Sequence, residues 1–160
     1  MHLLDILAPQ RVAMSNGNGV RVHTKAEAIH RLAELLTAGD AHMDVASVEE
    51  GLTRREEIQS TGVGAGVAIP HAKIDSLDRI VGAVLVCPEP IGFDAIDGEP
   101  VSILFAVLGP VKAPGEHIKT LARVSRLLRD DALRARLVQA SDAAAAYELI
   151  AGEERRVAAP

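Results

Sequence analysis

Two nearly continuous apolar runs, Ile80–Cys87 and Val101–Leu108, constrain this chain more than any other feature. Each has the length of a strand and lacks the polar alternation of a strand with one solvated face, so we expect both to be buried on both faces. Asp97-Gly98 lies between them as a turn signal. Helical patterns precede and follow these strands. The arrangement predicts an α/β fold, a single domain with a central mixed β-sheet flanked by helices.

Capping boxes predict two helices ahead of the strands. Thr24–Glu27 opens a helix that ends at Gly39, and Ser47–Glu50 opens a second helix that runs to about Glu57. Val48 and Leu52 form the inward face of the second helix. Before both helices, the composition of residues 15–19 predicts a loop.

The glycine-rich, β-branched segment Gly62–Ile69 predicts a loop that enters a strand, which Pro70 ends. Past the second apolar run, three helical patterns follow; they cover residues 116–128, Ala132–Val138 and Asp142–Ile150. Gly152 is a helix stop. We therefore expect one domain over residues 1–152 and a flexible tail over residues 153–160.

Composition excludes several classes of function. The net charge is −5, and the chain has no Trp, two Phe and one Tyr, so neither a basic footprint nor a base-stacking platform for nucleic acid is present. No segment has the length of a membrane span. The single cysteine, Cys87, cannot form an internal disulfide. These features predict a cytoplasmic protein that binds no nucleic acid and does not insert into a membrane.

Two histidines and one arginine are candidates for a catalytic or anion-binding role. His71 follows a run of small residues, and a neutral imidazole is nucleophilic near neutral pH. His117 begins the inward stripe of a helix, where unpaired N–H groups attract anions. Arg55 shares the inward face of its helix with Leu52, where a guanidinium needs an anionic partner. Each also has a structural alternative: a hydrogen-bonded turn, a helix cap, and a salt bridge to Asp94 or Asp97.

Ser60 and Thr61 could add hydroxyl donors beside these residues, although turn formation is their usual role. Gly62–Gly66 does not match the dinucleotide fingerprint, because its third glycine comes one position early and a strand follows. His42-Met43-Asp44 has no further ligands at a metal-binding spacing. We therefore predict neither a cofactor nor a metal site.

Taken together, four motifs resemble one family: Arg55-Glu56-Glu57, Ser60-Thr61-Gly62, Gly66–His71, and Glu116–Leu121. It is the fructose/mannitol-type enzyme IIA of the phosphoenolpyruvate-dependent phosphotransferase system. The segment Phe93–Val101 looks most like the nitrogen-regulatory branch of that family. The resemblance runs from the N-terminal region to about Ile150.

The resemblance implies that His71 accepts a phosphoryl group from an HPr-type phosphocarrier protein. It also implies that His117 stabilises this group and that Arg55 clamps the anion. Two outputs stay open. One is a phosphohistidine carrier whose phosphorylation state regulates partner proteins, and the other is a sugar-specific IIA that passes phosphate to a IIB component. A binding module that is never phosphorylated is an alternative of another class.

Overall fold

The computed structural model describes residues 2–16 and 21–158, in which six strands form one mixed sheet. The strands are β1 (Val12–Met14), β2 (Gly62–Gly64), β3 (Val67–Ala68), β4 (His71–Ile74), β5 (Val81–Ile91) and β6 (Val101–Pro110). Antiparallel β5 and β6 form the centre, and β1 pairs parallel to β5. On the other side of β6, β3 and β4 both pair parallel to it, and β2 pairs antiparallel to β3.

Helices cover both faces of this sheet. They are α1 (Lys25–Thr37), α2 (Val45–Ile58), α3 (Pro114–Leu127), α4 (Asp131–Val138) and α5 (Ala143–Ala158). Leu85 and Leu104 pack with α1 and α2, whereas the alternating residues Val84 and Phe105 pack with α3, α4 and α5. All four side chains are fully buried. The prediction of a mixed sheet with two doubly buried strands is confirmed.

Local capping explains where the first helices begin. Thr24 accepts a hydrogen bond from the Glu27 N–H, as the capping box predicts. The second predicted start is wrong, because α2 begins at Val45 and its N-cap is Asp44. The Asp44 carboxylate accepts hydrogen bonds from both the N–H and the hydroxyl of Ser47. Ser47 is therefore inside the first turn of α2.

The glycine-rich segment also differs from its prediction. It forms a tight hairpin of β2 and β3, with positive φ angles of 57° at Ala65 and 76° at Gly66. β3 ends before Pro70, as predicted, and a separate strand, β4, begins at the next residue, His71. The predicted loop at residues 15–19 extends beyond the described residues at positions 17–19.

The C-terminal helix is longer than the sequence predicts. The helix stop at Gly152 is wrong, because α5 continues to Ala158. Glu154 is buried and accepts hydrogen bonds from the Leu3 N–H and from Arg123 on α3, which attaches this last part of α5 to the domain. Positions 159–160 of the predicted tail lie outside the described residues. Among the described helices, none has the length and apolar character required to cross a membrane.

Candidate functional site

Three elements bring the predicted site residues together. His71 is the first residue of β4 and pairs with Val107 of β6. His117 lies in the first turn of α3, which follows β6 after a short loop, and Arg55 lies near the end of α2. The two imidazole rings have centroids 5.7 Å apart and are tilted by 55°.

Two hydrogen bonds orient the ring of His71. Its Nδ1 lies 2.8 Å from the carbonyl oxygen of Ile69, and its Nε2 lies 3.2 Å from Nε of Arg55. A carbonyl only accepts and a guanidinium only donates, so we assign the proton to Nδ1. Nε2 then carries the lone pair. This is the nitrogen that faces the cation and can act as a nucleophile.

His117 is buried without hydrogen-bond partners. The residue is 3% exposed, and neither ring nitrogen has a partner among the described residues. The ring packs directly on the backbone of Gly109, where an added Cβ atom would lie 2.4 Å from Nδ1 of His117. Buried polar atoms normally find a partner, so this ring has unused capacity to bind a group placed beside His71.

Burial keeps both histidines neutral. Burial lowers the pKa of His71, and the guanidinium of Arg55 lowers it further, against the opposing effects of the Ile69 carbonyl and Glu56. Burial, with the charges of His71 and Lys73, lowers the pKa of His117 to about 4. At neutral pH both rings are therefore uncharged. An uncharged His71 keeps the lone pair that nucleophilic attack requires.

Arg55 does not form either of the alternative salt bridges. Its Nε and Nη1 donate to His71 and to the carbonyl of Gln59. Asp94 instead lies 3.8 Å from the ammonium of Lys25, and Asp97 accepts hydrogen bonds from backbone N–H groups. The guanidinium is thus held at the nucleophilic nitrogen, where it can contact an incoming anion.

Ser60 and Thr61 already have partners for their hydroxyl protons. Ser60 Oγ donates to the carbonyl of Phe93 at 2.9 Å, and Thr61 Oγ1 donates to the buried carboxylate of Glu56. The Ser60 hydroxyl also accepts from the Gly62 N–H. These contacts correspond to the alternative role, turn formation, and not to hydroxyl donors for a bound anion.

Sequence reasoning missed two residues at the site. Lys73 is exposed, and its charge acts on both His71 and His117. Strand alternation places residues 71 and 73 on one face, so this signal was available in the sequence. Gly109 directly follows the apolar run Val101–Leu108, and nothing in the sequence marks it as part of a site. Its contact with the ring of His117 depends on the three-dimensional packing, which no local pattern indicates.

The arrangement suits the transfer of a dianionic group between proteins. A neutral imidazole presents its lone pair beside a guanidinium and near a second neutral imidazole, and the charge of Lys73 acts on both rings. Phosphoryl transfer is catalysed mainly by positioning and by cations around the equatorial oxygens. In the described part of the chain, no group of three His, Cys, Asp or Glu residues is placed to hold a metal ion.

Comparison with known proteins agrees with this chemistry. The family model of the phosphoenolpyruvate-dependent sugar phosphotransferase system, EIIA 2, matches residues 17–153. The chain belongs to this family. The resemblance to the fructose/mannitol-type enzyme IIA is thereby confirmed, and the chain is a IIA component of a phosphoryl-transfer system.

Relatives of this IIA domain carry two kinds of name. A nitrogen regulatory protein of Bradyrhizobium diazoefficiens is 36% identical over 151 residues, which cover 94% of this chain and 95% of the relative. A fructose-specific EIIA component of Haloferax volcanii is 33% identical, with 80% and 83% covered. Among solved structures, the nitrogen regulatory protein IIA-Ntr of Neisseria meningitidis is 31% identical with a TM-score of 0.82, covering 92% of this chain and 98% of that one.

Proposed function

We propose that this IIA domain accepts a phosphoryl group on Nε2 of His71 from an HPr-type phosphocarrier protein. The observation that carries the proposal is the hydrogen bond from Nδ1–H to the Ile69 carbonyl, because it leaves the lone pair on Nε2. The donor's phosphorus–nitrogen bond breaks as the new bond to Nε2 forms. The donor's phosphorylated imidazole carries a proton on its other nitrogen, so this ring leaves as a neutral imidazole. The ring of His71 becomes the phosphorylated cation, and no proton has to move.

The surrounding residues stabilise the transferred group. Once Nε2 is bonded to phosphorus, it no longer accepts from Arg55, whose N–H groups then bind phosphoryl oxygens. His117 donates a hydrogen bond from one of its unpartnered nitrogens. The Ile69 carbonyl stabilises the positive charge on the phosphorylated ring. Arg55 and His117 thus act on the phosphoryl oxygens, and His71 carries the phosphorus.

We further propose that the output is regulatory, with the phosphorylation state of His71 controlling the binding of partner proteins. The relatives named nitrogen regulatory protein support this output, as does the resemblance of Phe93–Val101 to that branch. The fructose-specific relative favours a second candidate, transfer from His71 to a IIB component for sugar uptake. A module without phosphorylation is disfavoured because the acceptor, the arginine and the second histidine occur together. The proposal implies a cytoplasmic protein.

Incubation with phosphoenolpyruvate, enzyme I and an HPr-type carrier tests the acceptor. We expect an acid-labile phosphate on the wild-type protein and none on His71→Ala, while the control His30→Ala is labelled normally. Unlabelled wild-type protein, or label that persists in His71→Ala, refutes the mechanism.

The stabilising role of His117 is tested by His117→Ala. This variant should still accept phosphate, because the nucleophile is intact, but should transfer it onward more slowly.

A further experiment separates the two outputs. If the labelled wild-type protein donates its phosphate to a fructose-type IIB domain, the sugar-uptake candidate is favoured. If it does not, and its binding to partners depends on phosphorylation, the regulatory output is favoured.

A further inference from the structure

Glu56 is a buried carboxylate that the proposed transfer does not use. Its side chain is 4% exposed, and it lies next to Arg55 on α2. Its two oxygens lie 3.0 and 3.2 Å from the N–H of Thr61, and it also accepts from the Thr61 hydroxyl. The ammonium nitrogen of Lys25 lies 2.9 Å from Oε2 of Glu56. A carboxylate with this many donors is firmly fixed in position.

Hydrogen bonds connect this carboxylate to the ring of His71. Glu56 holds the N–H of Thr61, and the carbonyl of Thr61 accepts from the N–H of Ile69 at 3.0 Å. The carbonyl of Ile69 in turn accepts from Nδ1–H of His71 at 2.8 Å. The position of the acceptor for Nδ1–H therefore depends on the Thr61 backbone, and the Thr61 backbone depends on Glu56.

The same carboxylate acts on the other side of the ring. Arg55, whose Nε–H contacts Nε2 of His71, precedes Glu56 in the last turns of α2. Anchoring Glu56 to Thr61 fixes how this end of α2 meets the following turn. Both nitrogens of His71 therefore have partners whose positions Glu56 helps to set.

Charge at this position is partly balanced. An unpaired carboxylate near the acceptor would repel a phosphoryl dianion, but Lys25 forms an ion pair with Glu56. Lys25 is itself held over the ring of Phe93, with its nitrogen 4.7 Å from the ring centroid. Lys25 thus offsets part of the charge of Glu56, and the remaining charge raises the pKa of His71.

We propose that Glu56 is a positioning residue for phosphoryl transfer, acting on His71 through Thr61 and Ile69 and through its neighbour Arg55. This inference rests on the proposed function, because it assumes that Nε2 of His71 is the acceptor. Glu56 does not touch the reacting atoms.

The first test compares Glu56→Ala and Glu56→Gln with the wild-type protein. Alanine removes the acceptor for Thr61, and a displacement of about 1 Å at a reacting group costs on the order of 100-fold in rate. We therefore expect single-turnover phosphorylation of Glu56→Ala by the phosphorylated HPr-type carrier to slow about 10- to 100-fold. Glutamine keeps an acceptor for the Thr61 N–H, so it should restore the rate to within about 10-fold of wild type.

The second test measures the tautomer and the pKa of the His71 ring by nitrogen NMR of the unphosphorylated protein. In Glu56→Ala, a smaller fraction of His71 should be in the Nδ1–H tautomer than in the wild-type protein. In Glu56→Gln, the pKa of His71 should fall, because the Glu56 charge raises it. The matched controls are Glu57→Ala and Glu57→Gln at the adjacent, exposed carboxylate, which should change neither the rate nor the ring.

Several outcomes would overturn the inference. One is a folded Glu56→Ala protein with the wild-type rate, and another is a slow variant whose His71 tautomer is unchanged. If Glu56→Ala does not fold, Glu56→Gln decides, and a slow Glu56→Gln protein whose His71 tautomer is unchanged counts against the role. Failure of the wild-type protein to be phosphorylated on His71 would instead reject the proposed function. The NMR measurement needs no donor and distinguishes the two failures.

Discussion

Replacing His117 with leucine should make the folded protein less sensitive to acid. Burial, with the charges of His71 and Lys73, lowers the pKa of His117 to about 4 from its ordinary 6.5. Between these values the unfolded chain binds a proton that the folded protein does not bind. Stability is therefore complete above pH 6.5 and is lost as the pH falls towards 4.

The size of the effect follows from the two pKa values. The complete loss corresponds to about 3 kcal/mol of the free energy of unfolding. By pH 5 it amounts to about 2 kcal/mol. A leucine at position 117 cannot take up a proton, and it fills the same buried place without a polar atom that lacks a partner. The lowered pKa of His71 acts in the same direction and is present in both proteins, so the difference between them reports mainly on His117.

The measurement is urea-induced unfolding of the two proteins at pH 8 and pH 5. We expect the wild-type protein to lose about 2 kcal/mol more than His117→Leu between these values. A control variant, His42→Gln, replaces an exposed histidine in the turn before α2 and should lose stability as the wild type does. Equal losses in the wild type and His117→Leu, or an NMR titration of His117 near pH 6.5, would refute the reasoning.

Three further predictions concern other parts of the structure. Gly109→Ala should slow the onward transfer of the phosphoryl group from His71 on the order of 100-fold, because the new Cβ would displace the ring of His117 by about 1 Å. The control Gly152→Ala has open space around its Cβ and should keep the wild-type rate. The hydrogen bond of His30 to a carboxylate of α2 is the largest cause of its raised pKa. The resulting ion pair stabilises the fold at low pH, and this contribution is lost as the pH rises. His30→Gln should therefore lose more stability than the wild type on acidification from pH 8, which equilibrium unfolding would detect. Burial raises the pKa of Cys87 to about 12, so a thiol reagent should label it only after unfolding; rapid labelling of the native protein would contradict this.

The sequence predicted the elements whose signal is local. Val81–Cys87 and Val101–Leu108 are apolar at nearly every position, and both became central strands. Capping was ambiguous at α2, because Ser47 with Glu50 fits the pattern of a helix start although Asp44 is the actual cap. Two acceptable caps three residues apart cannot be ranked without knowing where the helix packs.

Contacts distant in the sequence account for the rest. Gly152 resembles a helix stop, but α5 continues because Glu154 is paired with Arg123, 31 residues away. At the site, helical spacing placed Arg55 correctly on an inward face. The spacing could not reveal that its partner is Nε2 of His71, because that contact requires β4 to begin directly after Pro70.

The hydrogen bond between the Leu3 N–H and Glu154 has a consequence for how this domain can be joined to other proteins. It brings positions 3 and 154 of the sequence into direct contact, on the side of the sheet covered by α3, α4 and α5. A chain that enters and leaves at adjacent points can be inserted into a host protein without stretching either connection. The same closeness should permit a circular permutant in which a short linker joins the chain near positions 3 and 154 and the new termini lie in an exposed turn.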